Sequence, residues 1–161
     1  MELEDLAKRV AVALMNKEFT ICTAEECTCG LVGATIASQE YAQRWYKGTI
    51  TTYTEMEAAE VLDVMPSAIL RCGFVSSQVA QQMAMKVLNT FSANIAVAVV
   101  GHVDDYEGND VQICVAKSSN SRISFKYKKI NVENKDKGKN IEDAIKGALR
   151  ATLECIMDEG D

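Results

Sequence analysis

A three-layer α/β/α sandwich on a mixed sheet is the fold class that this sequence predicts, and three observations predict it. Apolar residues recur at helical spacing in several stretches, short apolar runs alternate with them, and two late runs lie close enough to form a hairpin. Leu3, Leu6, Ala7, Val10 and Leu14 mark the first amphipathic helix. The run 19–24 reads as a strand that enters Glu25-Glu26-Cys27-Thr28-Cys29-Gly30, with helix expected over 31–37. Residues 45–54, rich in Thr, Tyr and Ile, read as extended chain. A short helix is expected over 56–62, and Pro66 suits the first turn of another. Ser76 is a good N-cap for a helix whose buried stripe is Ala80, Met83, Ala84, Val87, Leu88 and Phe91. The continuous apolar run 95–100 suits a central strand covered on both faces, and 101–109 is a polar loop. Runs 111–116 and 122–132 form the hairpin across Ser118-Ser119-Asn120. In the second run the apolar positions change parity, from Ile123, Phe125 and Tyr127 to Ile130 and Val132, which predicts a bulge near Lys128. Asn140 is expected to cap the last helix, with Ile141, Ile145, Ala148, Leu149, Thr152 and Ile156 facing inward.

The 161 residues, 48% of them hydrophobic and 25% charged, suit a single domain over 1–161 with one sizeable core. A net charge of -6, from 23 acidic and 17 basic residues, repels phosphate backbones and argues against a nucleic-acid partner. Lys126, Lys128, Lys129, Lys135, Lys137 and Lys139 cluster, and read as a solvated edge strand and loop. No apolar run approaches the roughly 20 residues of a membrane helix. The start, Met1-Glu2-Leu3-Glu4-Asp5, is acidic where a leader is basic, so a cytoplasmic protein without a membrane partner is expected. The six cysteines read as reduced, mostly core, thiols. With one histidine in the chain, Cys27-Thr28-Cys29 lacks the partners for tetrahedral zinc, and neither metal nor cofactor is expected.

Ligands of such sheets sit beyond the carboxyl ends of the strands, which directs attention to the loops 25–30 and 101–109. The first reads Ala24-Glu25-Glu26-Cys27-Thr28-Cys29-Gly30, and it resembles the Ala-Glu-Ser-Cys-Thr-Gly-Gly of the CinA C-terminal domain family. That family's Val-Thr-Tyr stretch falls on Thr51 to Ala58 with Tyr53 at the tyrosine. Its Gly-Ala-Val-Ser falls on Gly73-Phe74-Val75-Ser76, and its Ser/Thr-Gly-Ile-Ala-Gly-Pro falls on Val100 to Asp105. The likeness in order and spacing runs from Leu3 to about Ala116. It implies a CinA C-terminal-domain-like fold, self-association, and descent from metal-independent amidohydrolases that deamidate nicotinamide mononucleotide. In those enzymes the serine of Ala-Glu-Ser is the expected nucleophile, with a lysine and a tyrosine to handle protons.

Against that pattern the serine position is Glu26, the lysine position is Ala58 and the first glycine of the pair is Cys29. The glycine-rich second loop is reduced to His102-Val103-Asp104-Asp105-Tyr106, so a phosphate would meet Glu26, Asp104 and Asp105. Retained are Glu25, Cys27, Thr28, Gly30, Tyr53, Ser76 and Gly101. The expected ligand pocket is Glu25, Glu26, Cys27, Thr28, Tyr53, Gly101 and His102, and none of these residues is assigned a catalytic role. Cys27 or Thr28 as substitute nucleophile is set against its structural use, and Glu26 as general base against a solvated carboxylate at a helix N-terminus. His102 with Asp104 and Asp105 is either a His–Asp dyad or metal set, or merely a shortened polar loop. Trp45 and Tyr46 either fill the core or, with Ile50 and Tyr53, form a subunit contact. The expected function is that of a catalytically degenerate relative of the deamidase that binds a small-molecule or nucleotide ligand or a protein partner, as a homo-oligomer. The alternative is a divergent amidohydrolase acting on nicotinamide mononucleotide or another small amide.

Overall fold

The computed structural model describes residues 2–104 and 108–158. Its elements, in chain order, are α1 (Leu3–Lys17), β1 (Ile21–Glu25), α2 (Leu31–Ala37), β2 (Tyr46–Thr51), α3 (Glu55–Val61), α4 (Pro66–Cys72), α5 (Ser77–Phe91), β3 (Ile95–Gly101), β4 (Asp110–Ser119), β5 (Arg122–Asn131) and α6 (Lys137–Met157). A single 3₁₀ turn at Ala42–Arg44 precedes β2. The five strands form one mixed sheet in the order β2-β1-β3-β4-β5. β1 is parallel to both β2 and β3, whereas β4 and β5 are antiparallel additions. Every residue of β1 and β3 is buried, as the continuous apolar run of β3 requires. No helix among the described residues is long and apolar enough to cross a membrane.

The two faces of the sheet differ in side-chain size. Ile21, Ile95, Val97, Val99, Val111, Ile113 and Val115 belong to the core shared with α1, α2 and α6. Their neighbours of opposite parity, Cys22, Ala24, Ala96, Ala98, Cys114 and Ala116, belong to the α5 side. There the small strand residues leave room that Val79, Met83, Val87 and Leu88 of α5 fill. On the other face the relation inverts: bulky strand residues meet Ala144, Ala148, Ala151 and Gly147 of α6. A Cβ on Gly147 would stand 2.9 Å from Ile130 Cδ1, so its absence lets α6 lie this close to the sheet.

Ser76 caps α5 as the sequence predicts, its hydroxyl accepting from Val79 N–H at 3.2 Å. Three other readings are corrected. The cap of α6 is Asp136, whose carboxylate accepts from Gly138 and Lys139 N–H at 2.9 and 3.4 Å. Asn140 instead lies within the helix, 2% exposed, and donates from Nδ2 to the Val103 carbonyl at 2.8 Å. The hairpin turns at Asn120 and Ser121, both at positive φ (54° and 63°), the two-residue geometry that matches strand twist. No bulge interrupts β5: pairing runs evenly from Ser119↔Arg122 to Asp110↔Asn131. The parity change has another cause. This edge strand offers Phe125 to the α5 side in its first half and Ile130 to the α6 side in its second. Of the two uses read for Trp45, the structure shows the core one: it precedes β2 and is 3% exposed in the core shared with α1 and α6.

The lysine-rich edge is as expected, with Lys126 beside Asp158 (3.1 Å) and Lys128 beside Glu154 (3.8 Å). All six cysteines are unpaired, and burial pushes the Cys22 and Cys114 thiols up to about 12.

Candidate functional site

β1 ends at Glu25, one residue later than the apolar run suggests, and that residue organises everything after it. Its carboxylate is fully buried and accepts four hydrogen bonds. Oε1 receives Thr28 Oγ1 (2.6 Å) and Val32 N–H (2.9 Å), while Oε2 receives Thr23 Oγ1 (2.8 Å) and Gly33 N–H (2.8 Å). Two of these donors are first-turn amides of α2, whose N-cap Gly30 (φ 87°) has no side chain to offer them. Glu25 thus serves as the cap, reaching forward from the strand. A buried carboxylate is tolerated because each oxygen has two donors. The expectation that Glu25 and Thr28 line a ligand pocket is therefore corrected: both are spent on the strand-to-helix turn.

Cys27 is likewise removed from the pocket, at 1% exposed. Burial, and after it the charge of Glu26, push its thiol well above the ordinary range, the opposite of what a nucleophilic thiolate requires. Cys29 is exposed but holds φ at 52°, the left-handed region that the family's glycine adopts freely. Burial and Glu26 raise its thiol too, with Lys137 opposing them.

Glu26 is not solvated and does not sit on the helix terminus. It is 8% exposed, its N–H donates to the Val99 carbonyl (2.9 Å), and its Oε1 accepts from Gly101 N–H (3.0 Å). The carboxylate therefore bridges the carboxyl ends of β1 and β3, on the wall of a cleft of about 790 Å³. Tyr53, Glu55, Phe74, Gly101, His102 and Asp104 line this cleft with Glu26. A Cβ at Gly101 would lie 2.7 Å from Val111 Cγ2, so close packing against β4 by itself requires glycine there.

Tyr53 is 52% exposed. Its hydroxyl accepts from Lys137 Nζ at 3.3 Å, and the same ammonium lies 3.4 Å from Asp104 Oδ2. These two partners, the Tyr53 bond first, hold the Lys137 pKa above its ordinary value. Ala58, at the lysine position of the family pattern, is fully buried in the α5-side core and takes no part in the cleft. The ammonium that meets Tyr53 comes instead from the first residue of α6.

His102 does form a pair with an aspartate, but not with the one expected. Its Nδ1 stands 2.9 Å from Asp110 Oδ1, and its backbone N–H donates to the Asp110 carbonyl at 2.8 Å. Burial alone would raise the Asp110 carboxyl, yet the His102 bond, its own backbone, and the His102 and Lys129 charges bring it below the usual value. Asp104 is engaged with Lys137, and Asp105 and Tyr106 lie outside the described residues. Among the described residues no three His, Cys, Asp or Glu side chains converge on a metal position. Of the expected pocket, then, Glu26, Tyr53, Gly101 and His102 come together. Glu55, Phe74 and Lys137 join them unannounced. Only the lysine run carried any signal for Lys137, and nothing marked Glu55.

A mixed five-stranded sheet with a polar cleft beyond β1 and β3, built on a glutamate-anchored strand-to-helix turn, defines the class of this α/β domain. The chain belongs to the CinA C-terminal domain family, whose model matches residues 3–156. A CinA-like protein of Flavobacterium psychrophilum is 34% identical over 108 residues, 67% of this chain and 26% of that protein. The nicotinamide-nucleotide amidohydrolase PncC of Enterobacter agglomerans is 33% identical over 99 residues, 62% of this chain and 60% of that one. The chain thus spans only part of the length of these relatives. The crystal structure of competence damage-inducible protein A from Klebsiella pneumoniae superposes with a TM-score of 0.91. It covers 99% of this chain and 100% of its own at 23% identity, a likeness of fold.

Proposed function

We propose that this chain is a CinA domain that has kept the cleft, has lost serine-dependent amidohydrolysis, and acts by binding a small molecule. One observation carries the reading: the nucleophile position holds Glu26, and its carboxylate accepts the Gly101 N–H. Amide hydrolysis through a covalent intermediate needs a hydroxyl with a base beside it and donors for the oxyanion. Here the hydroxyl is absent and a strand-end donor is occupied by the Glu26 carboxylate. Cys27 and Thr28 do not replace the serine, since one thiol is buried and the other side chain is bound to Glu25. The test is ammonia release from nicotinamide mononucleotide by the purified chain. No release above a heat-killed control is expected, and turnover that disappears in Glu26→Ala sinks the reading.

A second reading is favoured by the Tyr53–Lys137 contact at 3.3 Å, which supplies a phenol beside an ammonium, a pair suited to protonating a leaving amine. In that case Glu26 activates water directly on a small amide. Loss of an identified amidase activity in both Glu26→Gln and Tyr53→Phe supports it, and activity that survives both ends it. Self-association belongs to the first reading. Met56, Val61, Met65 and Leu70 on and between α3 and α4 are all exposed, an apolar surface of the kind that subunits cover.

A further inference from the structure

A second hollow lies at the other end of the sheet from the cleft, where the chain enters β1 and β2. Its volume is about 320 Å³, at the lower end of what small-molecule sites occupy. Its apolar lining comes from Leu14 and Met15 in the last turn of α1, from Phe19 before β1 and from Trp45 before β2. Leu14 and Trp45 belong to the buried core and Phe19 packs against it, so the fold itself fixes this side of the hollow. Two charged residues, Glu18 and Arg44, also line it, and both are exposed. Glu18 is the left-handed residue that ends α1 (φ 57°). Arg44 closes the 3₁₀ turn ahead of β2, its guanidinium carbon 4.9 Å from the centroid of the Tyr41 ring. The two are of opposite sign on one small hollow, yet they do not pair with each other. Among the described residues neither has an ion-pair partner.

The backbone N–H groups beside these charges are committed elsewhere. Those of Glu18, Phe19, Arg44 and Trp45 donate to the Met15, Leu14, Tyr41 and Ala42 carbonyls, and that of Thr20 donates to Asn94 Oδ1. The Trp45 indole N–H is sealed from solvent and finds no acceptor, so Trp45 meets a ligand as apolar surface. A carboxylate at this site is therefore received by Arg44, whose planar fork suits it, and an ammonium by Glu18. One class of molecule carries both charges on a single carbon with an apolar group beside them. We infer that this hollow binds a free α-amino acid with an apolar side chain, its carboxylate on Arg44, its ammonium on Glu18 and its side chain against Leu14, Phe19 and Trp45. The site is separate from the cleft, and it stands whether or not the function proposed above does.

Trp45 is the one tryptophan of the chain, so its emission, excited above the tyrosine band, reports on this hollow alone. The experiment titrates L-leucine, which does not absorb there, into the full chain, with calorimetry as a second readout. Saturable binding with a Kd below about 1 mM is expected, and none is expected for glycine, which lacks the side chain. Isocaproate is leucine without its ammonium, and isopentylamine is leucine without its carboxylate. Each is expected to bind at least about threefold more weakly than leucine, the scale of one ion pair at an exposed rim. Arg44→Gln is expected to weaken leucine by about the same factor and to leave isopentylamine unchanged. Glu18→Gln is expected to weaken leucine likewise and to leave isocaproate unchanged. Both changes are at exposed positions, and a melting temperature matched to the parent chain assigns the loss to binding rather than to folding. No saturation at about 10 mM leucine in either readout overturns the inference. So does equal binding of leucine and its two analogues, or an Arg44→Gln variant that weakens isopentylamine as much as leucine.

Discussion

Glu25→Gln is the most informative single change in this fold, because it keeps the shape of the side chain and alters only its charge and one acceptor. In either orientation the new amide group presents N–H to one of two donor pairs, Thr28 with Val32 or Thr23 with Gly33. A hydroxyl can rotate away, but a backbone N–H cannot, so one buried donor of α2 is left unsatisfied at about 1–3 kcal/mol. Loss of the negative charge at the helix N-terminus adds about 0.3–2 kcal/mol. The sum, about 3 kcal/mol at its centre, corresponds to a fall in Tm of about 6–12 °C for a domain of this size. Thermal unfolding followed by circular dichroism measures it. Thr28→Val should cost about 1 kcal/mol, and the double variant should cost less than the two singles together, since they share a bond. A fall of less than about 3 °C for Glu25→Gln, against that scale, would show that the carboxylate does not hold the strand-to-helix turn together.

Three further outcomes are expected. Iodoacetamide at pH 8 should label exposed Cys29 in the native protein and leave buried Cys27 untouched until unfolding, as read by mass spectrometry of peptides. Trp45→Glu should abolish the cooperative melt and yield no folded monomer, because a carboxylate would replace a 3% exposed ring; a folded monomer on light scattering would return Trp45 to an interface. The depressed Asp110 pKa contributes stability that is present above its unfolded value, near 3.8, and is lost as pH falls through the lower folded value. Acid unfolding of Asp110→Asn should accordingly begin from a lower plateau and show a shallower dependence in that window, whereas an unchanged acid limb would mean that the His102 contact contributes nothing.

Legibility in the sequence followed the range of the interactions. Ser76 shows its capping role within three residues, and the apolar run of β3 identifies a strand covered on both faces, because both signals are local. The β5 parity change was just as visible, but its cause was not. A bulge and an edge strand that covers different helices in its two halves leave the same pattern of side chains. Asn140 illustrates the same ambiguity: it has the composition of a cap, yet Asp136 reaches the amides and Asn140 ties α6 to Val103. Trp45 read equally well as core or contact, since an aromatic beside an edge strand serves either use until its neighbours are known.

The sequence by itself determined the element order, the sandwich, the family pattern and the positions at which that pattern is broken, because each is written in spacing along one chain. Tertiary structure alone decided which carboxylate is an anchor and which faces the cleft. Glu25 and Glu26 are adjacent and chemically identical, but the strand's alternation sends one beneath α2 and the other towards β3. It also decided that a lysine 84 positions away from Tyr53 stands beside its hydroxyl while Ala58 is sealed in the core. Such contacts arise where helix ends and strand ends converge, and no periodicity along the chain records that convergence.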